Sequence, residues 1–362
     1  MNRIVKFLKE KPLFILMLLW ALIQFALFLR YDFVIGFEGL KYQNDANLLA
    51  QQLQLNFQRI FYASYSITIA LLLKFGMGYY SVLIFQLVVN AWSNILFYNL
   101  LSKYVKQSAA IIISIIMIFT MQIQMWNFHL YTESLFVSGI VIFMYVVFSF
   151  DYSNKDRLKL VLSLIFLSYL RPIGISLAAP AVVYFMSKSD DNRNQRIIIV
   201  LILSTIIVLQ FGLMYLLKDN FNEFFSVATT KFWIIGAYDT VNDYSQFSFL
   251  PDFIKAIILR FNYYFLMVRP YYSDFHNLLE MLFYPVYLLS FFGLYSMYKC
   301  CRPKLFFILT LIGIFTTFTI MSHINYHGRY ISPILPLFLF IAAFGLGFIR
   351  KRFKSIFGSE SN

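Results

Sequence analysis

The sequence predicts an all-α, polytopic integral membrane protein, and three observations lead to this fold class. Hydrophobic residues make up 60% of the 362 residues and charged residues only 13%, whereas soluble domains average roughly 45–50% and 25%. The 43 Phe and 26 Tyr residues are more than one aqueous domain of 42.7 kDa can bury. Apolar runs of roughly 17–22 residues recur, and about 20 helical residues cross a hydrocarbon core. A soluble enzyme, a nucleic-acid-binding domain and a disordered chain are therefore excluded.

The first crossing is predicted over residues 12–29, directly after a basic start that carries four cations. Signal peptides share this order of charge and apolar run, but no small-residue cleavage site follows Arg30. We therefore interpret residues 12–29 as a retained helix whose amino end is cytoplasmic.

Nine further apolar segments complete ten predicted crossings in one transmembrane domain over residues 1–362, with no separate soluble domain. Their approximate ranges are 79–101, 108–126, 133–150, 157–170, 173–187, 197–217, 281–298, 305–321 and 332–349. Internal repeats, broken helices and charged span centres are typical of transporters, and none stands out in the sequence.

The distribution of cations predicts the orientation of the chain. Of the 30 Lys and Arg residues, 19 fall in six short segments on one predicted side of the membrane. Cytoplasmic loops retain Lys and Arg, so the net charge of +13 reflects topology, and both termini are predicted to be cytoplasmic. Segments 31–60 and 218–280 are then the long outer loops. Residues 60–75 would break the alternation if they crossed, so we expect them to lie on the outer face or to enter partway.

The chain has two cysteines, Cys300 and Cys301, and they are adjacent in a short basic segment. This spacing gives no disulfide framework. We expect two free thiols that face a reducing cytoplasm.

Outside the basic loops, the remaining ionisable residues collect near the predicted outer face. A charge at the centre of a spanning helix costs about 2.5–3.5 kcal/mol, and the predicted span centres are nearly free of charge. We therefore expect an outward-facing polar pocket beneath the long loops. Its candidate members are Asp32, Glu38, Asp45, Arg59, Glu133, Arg171, His323, His327 and Arg329.

Four short motifs among these residues resemble the GT-C superfamily of membrane glycosyltransferases. Residues 45–50 (DANLLA) are similar to its acidic motif after the first span, and residues 131–136 (YTESLF) resemble its Thr-Glu-Ser-Leu segment. Residues 170–174 (LRPIG) match an Arg-Pro-x-Gly turn, and residues 328–333 (GRYISP) match a late Gly-Arg-Tyr-x-x-Pro segment. The order and spacing of the motifs carry the resemblance, which covers nearly the whole chain. The superfamily includes protein mannosyltransferases, lipid A aminoarabinose transferases and glycolipid-anchor mannosyltransferases.

The resemblance implies an inverting hexosyl- or pentosyltransferase. Such an enzyme moves a sugar from a polyprenyl-phosphate carrier to a hydroxyl of a glycan, lipid or protein on the outer membrane face, in surface glycan or glycolipid assembly. The location expected is a bacterial inner or plasma membrane, with membrane lipids as surroundings and no nucleic-acid partner. No cofactor is implied, and a divalent cation is left open.

The residue types suit this chemistry, because an inverting displacement needs a base for the attacking hydroxyl and cations for the leaving phosphate. We predict Asp45 as the base and Glu133 as a second catalytic carboxylate. Guanidinium groups match phosphate oxygens in bidentate fashion. The predicted substrate-binding residues are Arg59, Arg171, Arg329, Tyr330 and His327.

Each of these residues also has a plain structural interpretation. Asp45 suits a solvated loop, and Glu133 suits the first turn of a helix, where negative charge is favourable. Arg171 and Arg329 could anchor lipid headgroups at the interface. His327 and its neighbour four residues earlier are spaced for metal binding on a helix, but a loop is favoured there.

A stripe of amides at Gln86, Asn90 and Asn94 is interpreted as interhelical hydrogen bonding.

Two other functions compete with the enzyme: a transporter or flippase of lipid-linked glycans, and a non-catalytic membrane subunit. The convergence of Asp45, Glu133 and the arginines in one outer pocket discriminates between these functions.

Overall fold

The computed structural model describes residues 10–188, 192–216, 273–322 and 328–357, together with a few positions between 258 and 268. Within these residues the regular structure is helical, apart from one isolated β-bridge. Most of the predicted outer loop 218–280 lies outside the described residues, as do His323 and His327.

The first four helices are α1 (Pro12–Tyr31), α2 (Phe37–Gln52), α3 (Ala63–Lys74) and α4 (Tyr80–Tyr104). Pro12 opens α1, where its missing N–H costs no hydrogen bond. The predicted outer loop 31–60 thus contains a helix of 16 residues. At 12 residues α3 is too short to cross a membrane.

The remaining helices follow in chain order. They are α5 (Gln107–Phe119), α6 (Met121–Gln124), α7 (Glu133–Phe148), α8 (Asn154–Ser168), α9 (Ala178–Ser187), α10 (Arg193–Leu216), α11 (Asp274–Met281), α12 (Tyr284–Cys300), α13 (Arg302–Ser322) and α14 (Leu335–Phe357).

Six stretches of the described chain are long and apolar enough to cross a membrane. A bent pair of helices raises the number to seven if it counts as one crossing. The protein is therefore a helical, multi-spanning integral membrane protein. The six stretches are Pro12–Tyr31, Tyr80–Tyr104, Arg193–Gln210, His276–Cys300, Arg302–Ile320 and Ser332–Arg350.

The three other predicted crossings are helical but short, so helix length does not support the expected count of ten. α7 has 16 residues, or about 24 Å, and α8 has 15. The third, Pro172–Ser187, begins with a 3₁₀ segment. Thirteen of the 16 residues of α7 are buried, so this helix is apolar because it lies at the centre of the bundle.

The bent pair breaks at Thr120, where Gln107–Phe119 meets Met121–Phe128 at 62°. A break frees backbone groups, which side chains must satisfy inside a membrane. The Thr120 hydroxyl donates to the carbonyl of Ile116 at 2.7 Å, and Gln124 Nε2 donates to that of Met117 at 3.0 Å. Glu280 accepts the backbone N–H of Gln122 at 3.1 Å.

Polar side chains also connect the helices around this break. Asn90 of α4 accepts from Trp20 Nε1 at 2.7 Å, and Gln86 accepts from the Tyr65 hydroxyl at 2.7 Å. The predicted interhelical role is confirmed for Gln86 and Asn90, whereas Asn94 bonds back to Asn90 within α4.

α12 and α14 pack closely because glycines face the opposing backbone. A Cβ at Gly293 would lie 2.0 Å from the carbonyl oxygen of Ile341, and one at Gly345 would lie 1.9 Å from that of Leu289. Small residues allow this approach in membrane helices. The packing fixes α14, whose beginning adjoins the candidate site.

Candidate functional site

Two glutamates and two arginines form a continuous row at one end of the helix bundle. Arg329 binds Glu38 through two nitrogens, with Nη1 2.7 Å from Oε2 and Nη2 2.9 Å from Oε1. Arg329 Nε lies 3.8 Å from Glu133 Oε1, and Arg171 Nη1 lies 2.9 Å from that same oxygen. The charges therefore alternate along the row, which we call the charged row: Glu38, Arg329, Glu133, Arg171.

The members of the charged row differ in exposure. Glu133 is 2% exposed, and the side chains of Arg171 and Arg329 are 15% and 16% exposed. Glu38 is 35% exposed and is the most accessible of the four. Burial of charge is costly without partners, and the alternation supplies them.

A short backbone pairing brings the two glutamates together. The N–H of Val34 donates to the carbonyl of Phe128 at 2.8 Å, and the N–H of Leu130 donates to the carbonyl of Val34 at 3.0 Å. These bonds tie the approach to α2 to the approach to α7. Gly39 of α2 then packs on Leu130, where a Cβ would lie 3.2 Å from the carbonyl oxygen. Glu38 and Glu133 are neighbours for this reason.

Arg171 is held by the turn after α8. It is extended, with φ −152° and ψ 145°, as expected for a residue before proline. Pro172 starts a 3₁₀ segment, and the N–H of Gly174 donates to the carbonyl of Arg171 at 2.8 Å. A Cβ at Gly174 would lie 1.9 Å from the carbonyl oxygen of Leu167. The turn therefore needs glycine at this position.

Arg329 lies in the short 3₁₀ segment Gly328–Tyr330, just before α14. The Ser332 hydroxyl donates to its carbonyl at 2.7 Å, and the Tyr264 hydroxyl donates to the carbonyl of Tyr330 at 3.2 Å. Arg329 Nη2 also donates to the Tyr330 hydroxyl at 2.6 Å. Tyr330, a predicted substrate-binding residue, is thus hydrogen-bonded to a member of the charged row.

One buried guanidinium nitrogen of the charged row, Arg329 Nε, has no hydrogen-bond acceptor among the described residues and lies 3.8 Å from Glu133 Oε1. Arg171 Nη1 already forms an ion pair with that same oxygen at 2.9 Å. A buried donor without an acceptor costs about 1–3 kcal/mol. An oxygen of a bound anion would remove that cost.

A small apolar cavity of about 30 Å³ adjoins Arg171. Phe136, whose ring centroid lies 5.6 Å from the Arg171 guanidinium, forms one wall. Phe318 of α13, which is 41% exposed, and Tyr330 form others. The cavity links the cationic end of the row to an apolar surface.

Asp45 and Arg59 form a separate pair. Asp45 lies on α2 about 10 Å beyond Glu38, is 6% exposed and accepts from Asn56 Nδ2 at 3.0 Å. Its other oxygen pairs with Arg59 Nη1 at 3.0 Å. In the described chain no ion pair joins Asp45 or Arg59 to the charged row. The row thus contains Glu133, Arg171 and Arg329 of the predicted set, with Tyr330 attached, and His327 lies outside the described residues.

The charges of the row shift the pKa values of groups around it. Burial opposes ionisation of Glu38, but the hydrogen bonds and charge of Arg329 outweigh it, so the pKa of Glu38 lies below its ordinary value. Burial, with the nearby Glu133 charge, raises the pKa of Tyr42 and of Tyr62. These phenols stay protonated and can donate hydrogen bonds.

No family model and no curated protein matches the chain. The four motifs therefore remain the basis of the GT-C resemblance. Among the described residues no group of three or more His, Cys, Asp or Glu could hold a metal ion.

Sequence reasoning did not include Glu38 among the catalytic or binding residues. The signal was present in the spacing of Glu38, Tyr42 and Asp45, which puts all three on one face of a helix. Because segment 31–60 is predicted to be an outer loop, the helical spacing of these residues does not by itself place Glu38 in a binding site.

Proposed function

We propose that this protein is a GT-C-like membrane glycosyltransferase that moves a sugar from a polyprenyl phosphate to an acceptor hydroxyl. The observation that carries the proposal is the charged row, in which carboxylates and buried guanidinium groups from four segments meet beside an apolar cavity. A phosphate donor with an isoprenoid tail has both chemistries that the row and cavity offer. The proposed partners are this donor, membrane lipids, and a glycan, lipid or protein acceptor.

Arg171 and Arg329 bind the donor phosphate in this proposal. Arg329 Nε is buried and lacks an acceptor among the described residues, and planar guanidinium groups match phosphate oxygens. Charge on the phosphate grows as the sugar departs, so both cations stabilise the transition state more than the ground state. The first isoprene units lie against Phe318, which is 41% exposed beside the cavity.

Glu38 is favoured as the general base, because its carboxylate is the most exposed one in the row. The acceptor oxygen attacks the anomeric carbon, its proton passes to the carboxylate, and the phosphate leaves with the electrons of the broken C–O bond. Glu133 holds both arginines in position. Asp45, the base predicted from the motif, is buried against Asn56 and Arg59, so we assign this pair to fixing α2.

Donor binding activates this base. In the free protein Arg329 holds the pKa of Glu38 below its ordinary value, which makes the carboxylate a weak base. When the donor phosphate takes hydrogen bonds from Arg329, less positive charge acts on Glu38 and its pKa rises. The carboxylate is therefore a stronger base in the donor complex than in the free protein.

The proposed orientation follows the cations: both termini face the cytoplasm of a bacterial cell, and the charged row faces the outer side. The short helices α7, α8 and α9 then complete ten crossings, and α2 and α3 lie at the outer interface. A helix of about 24 Å can still cross the membrane inside the bundle, because the bilayer around the whole bundle can thin locally to match it.

A transporter of lipid-linked glycans is a second candidate, and the break at Thr120 favours it, since broken helices are common in transporters. Against it, side chains bond the carbonyls of Ile116 and Met117 that the break frees, so these two groups are not left open to a transported ion.

The test uses purified protein reconstituted in vesicles with a panel of polyprenyl-phosphate sugars. The enzyme releases polyprenyl phosphate and glycosylates an acceptor, such as a lipid or oligosaccharide alcohol, at a rate that Glu133→Gln abolishes. Movement of intact donor between leaflets without release of polyprenyl phosphate contradicts the enzyme and supports the transporter.

A further inference from the structure

A second site lies at the opposite end of the bundle from the charged row. α4 and α7 begin near that row, and their other ends meet where Lys103 Nζ donates to the Ser149 hydroxyl at 2.9 Å. A cavity of about 530 Å³ opens beside Lys103. It lies between the end of α4, the end of α12 and residues 344–350 of α14, and we call it the basic cavity.

Three cations line the basic cavity: Lys103, Lys106 and Arg350. Arg350 Nη1 donates to the Ser108 hydroxyl at 2.7 Å, and Lys103 also lies 4.9 Å from the ring centroid of Tyr145. Among the described residues that line the cavity there is no carboxylate. The partners of Lys103 and Arg350 are therefore neutral, and their positive charge is not offset there.

The start of α5 adds to this positive charge. Lys106 is its N-cap residue, and the first turn contains no acidic residue. A cation at the positive end of a helix dipole is unfavourable, whereas an anion there is favourable. Positive-inside topology accounts for cations on this side, but it does not require them to surround one cavity.

The floor of the basic cavity is apolar and aromatic. Tyr104, Phe344 and Phe348 form it, and a Cβ at Gly347 would meet no atom within 4 Å, so this glycine leaves space open. A free phosphate ion gains no binding energy from an apolar, aromatic surface. A phospholipid has an anionic phosphate and apolar glycerol and acyl groups, and it matches both halves of the cavity.

We propose that the basic cavity binds the phosphate headgroup of an anionic membrane lipid. Basic pockets between membrane helices on the cytoplasmic side recognise such headgroups, and each Lys or Arg near the surface contributes about a fivefold gain in binding. Lys103, Lys106 and Arg350 contact the phosphate, and Gly347 makes room for the glycerol. The proposal is independent of the enzyme chemistry assigned to the charged row.

The test measures lipid binding to the full-length protein in detergent by native mass spectrometry, with phosphatidylglycerol and phosphatidylcholine as probes. The wild type retains phosphatidylglycerol in preference to phosphatidylcholine. The triple variant Lys103→Gln, Lys106→Gln, Arg350→Gln loses about fivefold in phosphatidylglycerol affinity for each cation and keeps its phosphatidylcholine affinity.

Two controls separate the cavity from a diffuse positive surface. Gly347→Phe keeps every charge but fills the space, so it lowers phosphatidylglycerol binding, while Gly313→Phe on an exposed helix face leaves it unchanged. The triple variant Lys155→Gln, Lys159→Gln, Arg193→Gln removes three exposed cations elsewhere and also leaves it unchanged.

The opposite results overturn the proposal. Equal losses in the two triple variants, or wild-type binding by Gly347→Phe, show that no cavity site exists. Binding of inorganic phosphate that the cavity triple variant abolishes, without retention of phosphatidylglycerol, assigns the site to a soluble anion and contradicts a lipid ligand.

Discussion

Glu38 and Asp45 face the bundle from the same helix, yet their carboxylates have different partners. Glu38 meets Arg329 and keeps 35% of its side chain exposed, whereas Asp45 is 6% exposed and bonded to Asn56 and Arg59. A base needs access to the acceptor hydroxyl as well as a position near the leaving group. Exposure is therefore the basis on which the proposed mechanism assigns the base to Glu38 and a structural role to Asp45.

We expect Glu38→Gln to lower transfer by about 10²–10⁴-fold, because general bases contribute on that scale and an amide cannot take the proton. Sugar transfer is measured at saturating donor, with Asp32→Asn as the control for an exposed carboxylate. Asp45→Asn is expected to lower the melting temperature and to change kcat far less. A larger kcat loss in Asp45→Asn than in Glu38→Gln assigns the base to Asp45, as its motif suggests.

Part of the pH dependence of protein stability follows from the lowered pKa of Glu38. A lowered folded-state pKa means that the Glu38–Arg329 contact stabilises the protein above the unfolded pKa and is lost as pH falls through the folded value. The contact is therefore complete at neutral pH. In Glu38→Gln this part of the acid-induced loss of stability disappears.

The proposed role of Arg329 depends on its planar guanidinium group, which binds phosphate through two nitrogens. Arg329→Lys keeps the charge but loses the bidentate contact, so we expect donor affinity and kcat each to fall by about 10–100-fold. Arg171→Lys is expected to impair transfer as well. Arg30→Lys, at the exposed end of α1, serves as the control and keeps wild-type transfer. Wild-type kcat in Arg329→Lys at saturating donor supports a headgroup anchor instead of a phosphate ligand.

At the scale of elements, the site depends on turns between helices more than on the helices themselves. The pairing of Val34 with the 128–130 segment sets α2 against α7, and the turn at Pro172 sets Arg171 against Glu133. Both connections use backbone hydrogen bonds, which fix direction better than apolar packing does.

Gly174→Ala tests this dependence. The new methyl would lie 1.9 Å from the carbonyl oxygen of Leu167, so the turn must shift at a cost of about 1–3 kcal/mol. We expect a lower melting temperature and a loss of transfer, because Arg171 moves with the turn. Gly313→Ala, whose methyl meets no atom within 4 Å, is the matched control. Equal behaviour of the two variants means that the turn does not position Arg171.

At the scale of the whole molecule, the two ends of the bundle differ in charge. One end carries the charged row, in which two arginines face two glutamates. The other carries the basic cavity with Lys103, Lys106 and Arg350, and the free thiols of Cys300 and Cys301 lie beside it. This asymmetry is the physical basis of the proposed orientation.

Thiol labelling in intact cells tests that orientation. Burial raises the pKa of the Cys301 thiol to about 12, so at pH 7 the exposed Cys300 is the reactive cysteine. An impermeant maleimide should label Cys300 only after permeabilisation. Gly78→Cys in a cysteine-free background, at an exposed position before α4, should label in intact cells. Labelling of Cys300 without permeabilisation reverses the predicted topology.

The sequence alone determined the fold class, since apolar runs and their spacing follow directly from the energy of transfer into a membrane. It also determined where most helices lie and identified Glu133, Arg171 and Arg329 as candidate site residues. It overestimated the number of long spans, because a central helix such as α7 is as apolar as one that faces lipid. Hydropathy measures burial and does not distinguish protein from lipid as the surroundings.

Only the tertiary structure decided which charges meet. Glu38 and Arg329 are 291 positions apart, and their contact depends on a backbone pairing, a turn and a 3₁₀ segment. Such long-range contacts leave no local periodicity, whereas Asp45 stood out by its motif and proved to be paired elsewhere. The basic cavity likewise follows from the ends of α4 and α12 meeting α14 in space. Hydropathy and charge are summed along the chain, but a binding site is set by the distances that folding creates.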